Sequence, residues 1–142
     1  MGKIVAISGH FDPFHEGHLM HMIKASMLGD FLIVIVNSDE SIIKKRLKND
    51  SVGKVNSNIF WRMEMIRLKM DGLGIHGMVV PAIDQDETVA SSLAYYCPDI
   101  FAKGGDRTED NMPLRELNMC YERSIKIVYH VGDKLNSSSS MV

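Results

Sequence analysis

Cysteine, tryptophan and proline are scarce in this chain of 142 residues: two, one and four. Cys97 and Cys120 are too few for a disulfide framework and lack C-x-x-C spacing. Lys and Arg total 16 against 18 Asp and Glu, a formal net charge of -2, so the basic excess of a duplex-binding protein is missing. No apolar run approaches the roughly 18 residues that a membrane span needs. The longest, Phe31 to Val36, has the length of a strand. Met1-Gly2-Lys3-Ile4-Val5 leads straight into structure without a signal-peptide plan. There is no internal repeat, and low complexity is confined to Ser137 to Ser140. The expectation is one cytoplasmic domain over residues 1–142, with no nucleic acid and no membrane as partner. What remains is ordinary for a globular chain with a real core: 45% apolar and 24% charged. The 11 methionines are many, and most are expected to fill core gaps as flexible thioethers.

Strand-like and helix-like segments alternate. Lys3 to Ser8 is a short β-branched run, and Gly17 to Leu28 has its apolar residues (Leu19, Met22, Ile23, Ala25) mainly on one helical face. Gly29-Asp30 stops that helix. Phe31 to Val36 is apolar throughout, as a parallel strand covered on both faces should be. Ser41 to Leu47 reads as a short basic helix, Lys48 to Asn58 as a mobile loop, and Ile59 to Met70 as a helix. Then follow a strand at Met78 to Pro81, a helix at Glu87 to Tyr96 and a strand at Ile100 to Lys103. A helix at Pro113 to Tyr121 and a strand at Ile125 to Tyr129 complete the series. The alternation predicts an α/β fold: a single doubly wound domain whose five-stranded parallel sheet is flanked by helices. Ligands of such sheets bind beyond the carboxyl ends of the strands. The segments to watch are therefore Gly9 to His18, Asn37 to Lys48, Lys103 to Arg107, and the residues after His130.

The loop after the first strand is rich in histidine. His10, His15, His18 and His21 lie within 12 residues. The loop opens a helix, whose free N–H groups and positive dipole end favour a phosphate. Gly9 and Gly17 lack side chains where backbone amides can meet an anion. His15 and His18, three apart across the helix start, can face one ligand and donate to phosphate oxygens. Two plainer readings compete: histidines that are merely satisfied polar residues, and a zinc site built on H-x-x-H with Asp12 or Glu16. No cysteine or carboxylate pattern nearby completes a structural zinc site.

Gly9-His10-Phe11-Asp12-Pro13-Phe14-His15-Glu16-Gly17-His18 reads G-x-F-D-P-x-H-x-G-H, which resembles the signature of the cytidylyltransferase-like nucleotidyltransferase superfamily. The likeness runs on through nearly the whole chain. Leu28-Gly29-Asp30 precedes an apolar strand, then come Val36-Asn37-Ser38-Asp39-Glu40 and the basic Lys45-Arg46-Leu47-Lys48. Arg62 matches an arginine in the segment after the loop. Lys103-Gly104-Gly105-Asp106 most resembles the heptose-1-phosphate adenylyltransferase branch, while glycerol-3-phosphate cytidylyltransferases and FMN adenylyltransferases share much of the framework.

The resemblance implies a Rossmann-like, HUP-type fold. It also implies transfer of AMP or CMP from ATP or CTP to a phosphorylated small molecule, a sugar phosphate first, with release of pyrophosphate. On that likeness His15 and His18 are the catalytic histidines, and Lys45 or Lys48 closes over the triphosphate. His10 and Phe11 line the α-phosphate site with Gly9 and Gly17. Lys103, Gly104 and Asp106 approach the ribose or base, and Ser137, Ser138 and Ser139 stand where the family has a serine/threonine turn. The family's last helix and its basic residue are missing after them. Mg2+ enters with the nucleotide, so no protein metal ligand is assigned. For Lys45 and Lys48 the alternative is a solvated helix face, for Asp106 a turn, and for Arg62 stabilisation of its neighbouring helix. Arg107 reads as exposed. Relatives often form homodimers, and Trp61 is either an interface anchor or a core residue. A non-catalytic nucleotide-binding module is the reading from another class.

Overall fold

The computed structural model describes residues 2–49, 52–105 and 107–132. In chain order the elements are β1 (Ile4–Gly9), α1 (Glu16–Ser26), β2 (Phe31–Val36), α2 (Asp39–Lys48) and α3 (Ile59–Leu73). They continue with β3 (Gly77–Pro81), α4 (Ala90–Tyr96), β4 (Ile100–Ala102), α5 (Leu114–Glu122) and β5 (Lys126–Val128). The strands form one sheet in the order β3-β2-β1-β4-β5, and every pairing is parallel. The chain steps outward from β1 to β3, then returns to lay β4 on the other edge of β1. That reversal makes the carboxyl ends of β1 and β4 the switch point where such sheets leave a crevice.

Alternating residues of β2 feed two cores. Leu32, Val34 and Val36 pack with Met22 and Ala25 of α1 and Ile66 and Met70 of α3. Ile33 and Ile35 face the other way, toward Leu93 of α4 and Cys120 of α5. A strand covered on both sides is therefore apolar at every position, and its sequence is a plain apolar run. Leu93 is fully buried, so truncation to Ala would cost about 2–5 kcal/mol.

Boundaries move where polar side chains cap the chain. α2 begins at Asp39 because the Ser38 hydroxyl accepts the Ser41 N–H at 3.0 Å, and it runs on through Lys48. α4 starts three residues later than its pattern suggests. The Asp86 carboxylate takes the Thr88 N–H and hydroxyl at 2.9 and 2.8 Å, which holds a turn, and Asp84 then caps the helix through the Ser91 and Ser92 N–H groups. The segment expected to be a mobile loop is tied at its far end. The buried Asp12 carboxylate accepts the Asn56 and Ser57 N–H groups, each at 2.8 Å, and pairs with Arg46 at 3.1 Å.

Of the nine methionines among the described residues, five serve the cores as expected: Met22, Met70 and Met112 are buried, and Met63 and Met119 pack against them partly buried. Met20, Met27, Met65 and Met78 are exposed. Trp61, read as either interface anchor or core, is not core. It is 62% exposed on an outer face of α3 with Met65 and Leu68, because Ile66 and Met70 take the inward positions. Among the described residues no helix is long and apolar enough to cross a membrane.

Candidate active site

The crevice is floored by the end of β1 and the start of α1. His15 is the N-cap of α1, and its Nδ1 accepts the Gly17 N–H at 3.1 Å. His18 answers from the first turn, its Nδ1 accepting the His15 N–H at 3.2 Å. This is a capping box built from two imidazoles in place of the usual hydroxyl and carboxylate. The rings stack with centroids 3.8 Å apart. Because each Nδ1 accepts a backbone proton, the neutral rings carry theirs on Nε2, so each presents an Nε2–H donor at a helix N-terminus. Burial holds the His18 pKa down at about 4, with His15, His21 and His10 adding to the shift. His18 is therefore a neutral donor at pH 7.

The surroundings fix this pair. Phe11, at φ 53 and buried, sets its ring edge-on to His18 at 5.0 Å, and Phe14 flanks the same ring at 5.8 Å. A Cβ at Gly17 would come within 3.0 Å of the His15 ring, so glycine keeps that imidazole where it caps. His21 bonds through Nδ1 to the Val131 carbonyl at 2.7 Å, joining α1 to the chain beyond β5. Gly104 slots against the same pair: a Cβ there would meet His21 Nδ1 at 2.9 Å and the Val131 oxygen at 3.0 Å.

Two cavities open on this floor. The first, about 660 Å³, lies toward α2 and the β3–α4 loop and is lined by Gly9, His10, Lys45, Lys48, Thr88 and Glu116 among others. The second, about 710 Å³, lies over the start of α1 and is lined by His15, Gly17, His21, Gly104 and Gly105 among others. Ser8, His18, Lys103 and Arg107 line both. The two chambers thus meet at one histidine and two cations. Burial lowers the Lys103 pKa, and its ammonium lies 4.7 Å from the Phe101 ring centroid. His10 is pushed down to about 4, by burial first and then by the charges of Lys45, Arg46 and Arg62.

The structure distributes the expected site residues unevenly. His15, His18, Gly9, His10, Gly17, Lys45, Lys48, Lys103 and Gly104 all line one cavity or the other. Lys48 also pairs with Glu87 at 3.2 Å across the mouth of the first. Phe11 supports from beneath. Arg62 takes the structural alternative: it is 2% exposed and donates to the Ser57, His10 and Asn37 carbonyls, each at 2.8 Å, while pairing with Asp39. A guanidinium spent on those groups brackets the loop after β1 from behind instead of reaching into a cavity. Arg107, expected to be exposed, is half-buried at the junction. Asp106, Ser137, Ser138 and Ser139 lie outside the described residues. Ser8, Thr88 and Glu116 are further lining residues that the motifs do not single out. Ser8 adjoins Gly9 at the foot of the histidine loop, whereas Thr88 and Glu116 are ordinary polar residues in their own segments and join the site only through the strand order.

Among the described residues no three or more His, Cys, Asp or Glu side chains come together as a ligand set for a metal ion. The two central imidazoles spend their Nδ1 atoms on backbone amides, as described above.

The family model described as "Cytidylyltransferase-like" matches residues 6–142. The chain is 33% identical over 129 residues to "Bifunctional protein HldE" of Marinomonas sp. (strain MWYL1), which covers 91% of this chain and 25% of that protein. It is 38% identical over 104 residues to the HldE protein of Vibrio vulnificus (strain YJ016), covering 73% of this chain and 20% of that one. The chain therefore spans a quarter or less of the length of these curated relatives. Among solved structures, a lipopolysaccharide core biosynthesis protein from Thermoplasma volcanium GSS1 superposes with a TM-score of 0.66 at 22% identity, covering 92% of this chain and 97% of that one. A pantoate-beta-alanine ligase from Francisella tularensis gives 0.54 at 13% identity, covering 90% and 58%. At those identities the likeness is one of fold.

Proposed function

Because the chain belongs to the cytidylyltransferase-like family, we propose that it transfers a nucleotidyl group, AMP before CMP, from a nucleoside triphosphate to a sugar phosphate and releases pyrophosphate. The observation that carries this reading is the meeting of two cavities at Ser8, His18, Lys103 and Arg107. Two substrates in adjacent chambers would bring their reacting atoms together at that wall. The nucleotide takes the chamber over the α1 N-terminus, where the helix end favours phosphate. The acceptor takes the chamber beside α2.

An oxygen of the acceptor phosphate attacks the α-phosphorus in line. The bond to the β-phosphate oxygen breaks, and pyrophosphate leaves with the electron pair. The nucleophile is already ionised, so no general base is required and no covalent enzyme intermediate forms. Catalysis is then positioning and charge stabilisation. His18 donates its Nε2–H to an α-phosphate oxygen as charge builds there, His15 holds the neighbouring phosphate, and Lys45, Lys48, Lys103 and Arg107 supply positive charge. Mg2+ would enter as a companion of the triphosphate. Asp86 and Glu87, two carboxylates of the acceptor cavity, are already paired with Arg115 and Lys48, so phosphate oxygens and water would hold it more than protein groups, and the chemistry it would supply is neutralisation of phosphate charge. A homodimer through the exposed Trp61, Met65 and Leu68 completes the reading, since an aromatic on an apolar helix face is a frequent interface anchor.

The test is a pyrophosphate-release screen of ATP and CTP against sugar 1-phosphates, glycerol 3-phosphate and FMN, with Mg2+ and with EDTA. Release with one pair, lost in EDTA and in His18→Ala, supports the reading. Silence of every pair while ATP still raises Tm would mean a nucleotide-binding module without transfer.

A further inference from the structure

We propose that Glu116 selects the acceptor: one oxygen of its carboxylate accepts a hydrogen bond from a hydroxyl of a polyhydroxylated phosphate seated in the first cavity. This inference rests on the transfer reading above and names the part of the acceptor that the site recognises.

Glu116 stands in the first turn of α5, is 4% exposed and lines the first cavity. Its Oε2 accepts the Val89 N–H at 3.0 Å, which fixes the carboxylate against the start of α4. Its Oε1 is buried and has no hydrogen-bond partner among the described residues. A buried acceptor left unpaired costs about 1–3 kcal/mol, and more when it is charged. A cavity wall is one of the few places where that cost is recovered, when a ligand supplies the donor.

The neighbours narrow the donor's identity. Asp86 and Glu87 line the same cavity, but Thr88 and Arg115 engage the first and Lys48 the second. Lys103 lines it too, and among the described residues no ion pair closes between Lys103 and Glu116. A carboxylate oxygen repels phosphate, so it does not serve the anionic end of the acceptor. That end belongs with Lys45, Lys48 and Arg107, which line the same cavity. Lys103 in turn disfavours a cationic group beside Glu116. The occupant that satisfies both ends is anionic at one and neutral but hydrogen-donating at the other, which is the chemistry of a sugar or polyol phosphate. One unpaired oxygen is no ligand set for a divalent ion.

The experiment reads binding separately from turnover. Wild type, Glu116→Gln and Glu116→Asp, each with α,β-methylene ATP, are titrated calorimetrically with D-glycero-D-manno-heptose 1-phosphate, D-mannose 1-phosphate, glycerol 3-phosphate and phosphoethanolamine. Monodeoxy analogues of the best binder follow. The amide of Gln keeps an oxygen for Val89 and turns an N–H2 toward the cavity. The expected result is that deleting one acceptor hydroxyl weakens wild-type binding at least tenfold. Glu116→Gln should weaken the parent compound as much, lose discrimination against that one analogue, and bind the nucleotide analogue as wild type does. If Glu116→Gln does not fold, Glu116→Asp, whose carboxylate is drawn back by one methylene, should show the same loss of discrimination.

A flat deoxy series in wild type overturns the proposal. So do variants that discriminate as wild type does, or phosphoethanolamine as the best ligand. Pyrophosphate release is measured in parallel. If it is absent for every pair while the binding pattern holds, the transfer reading fails and the Glu116 assignment stands. If release is robust while acceptor KM and discrimination are unmoved in both variants, the Glu116 assignment fails and the transfer reading stands.

Discussion

Backbone amides hold the imidazoles of His15 and His18 in one tautomer: His15 Nδ1 accepts the Gly17 N–H, His18 Nδ1 accepts the His15 N–H, and the rings stack 3.8 Å apart. Both Nε2–H groups are thereby committed as donors before any ligand arrives, which is the preorganisation that charge stabilisation in a transition state requires.

Replacing His18 by Ala should therefore lower kcat by about 100- to 1,000-fold, the usual effect of losing one preorganised donor. The KM for the nucleotide should change much less, because the contact strengthens as charge develops. Steady-state pyrophosphate release resolves the two parameters, and a variant with unchanged kcat would remove His18 from the reaction.

The burial that makes His18 a neutral donor has a thermodynamic consequence. His10 and His18 both have pKa values lowered to about 4, against 6.5 for the free side chain. Below pH 6.5 the unfolded chain takes up protons that the folded protein refuses, so stability falls as pH drops from about 6.5 to about 4. Tm of the ligand-free protein should decline across that window, and less steeply in His18→Asn, which has nothing to titrate. A flat profile from pH 7 to 4.5 would contradict the burial of these rings.

Asp12 ties the loop after β1 to residues 56 and 57, and those backbone bonds together with Arg46 hold its carboxyl below the usual range despite burial. Its contribution is present above the unfolded pKa of 3.8 and is lost as pH falls through the lower folded value. Asp12→Ala leaves the Asn56 and Ser57 N–H groups without their acceptor and takes the carboxylate partner from Arg46, whose bonds to the Lys54 and Asp12 carbonyls remain; it should cost about 2–4 kcal/mol in urea denaturation. Protease cleavage within residues 52–58 should accelerate in parallel.

Arg62 separates a positioning role from a phosphate contact. Arg62→Lys keeps the charge but cannot span three carbonyls and Asp39. The expected outcome is a loss of about 3 kcal/mol, which corresponds to a Tm roughly 6–12 °C lower for a domain of this size. Unchanged Tm with a raised nucleotide KM would instead put the guanidinium on a phosphate.

Much of this molecule is legible in one dimension. The strand–helix alternation survives nearly element for element, since the apolar run of β2 and the 3.6-residue spacing of α1 are local patterns tied to burial. The errors fall at capped ends. Asp84 and Asp86 delay α4, and nothing in the run Glu87 to Tyr96 says that an upstream carboxylate will seize its first amides. Which methionines would stay outside was not legible, because the residue type alone does not fix a face: Met22 turns inward and Met65 outward on otherwise comparable helices.

The histidine pair belongs to the sequence by itself. Residues 9–18 are contiguous, their bonds run between positions two or three apart, and a helix start must satisfy its own free amides whatever packs around it. Everything that turns this loop into a two-chambered site was decided by the tertiary structure. Glu116 meets the Val89 amide 27 residues away, His21 meets Val131 across 110, and Arg62 reaches His10 across 52. The Glu116 and His21 contacts depend on β4 docking on the free edge of β1 and the Arg62 contact on α3 packing beside β1 and β2, choices that the packing of both sheet faces settles together and no single segment encodes.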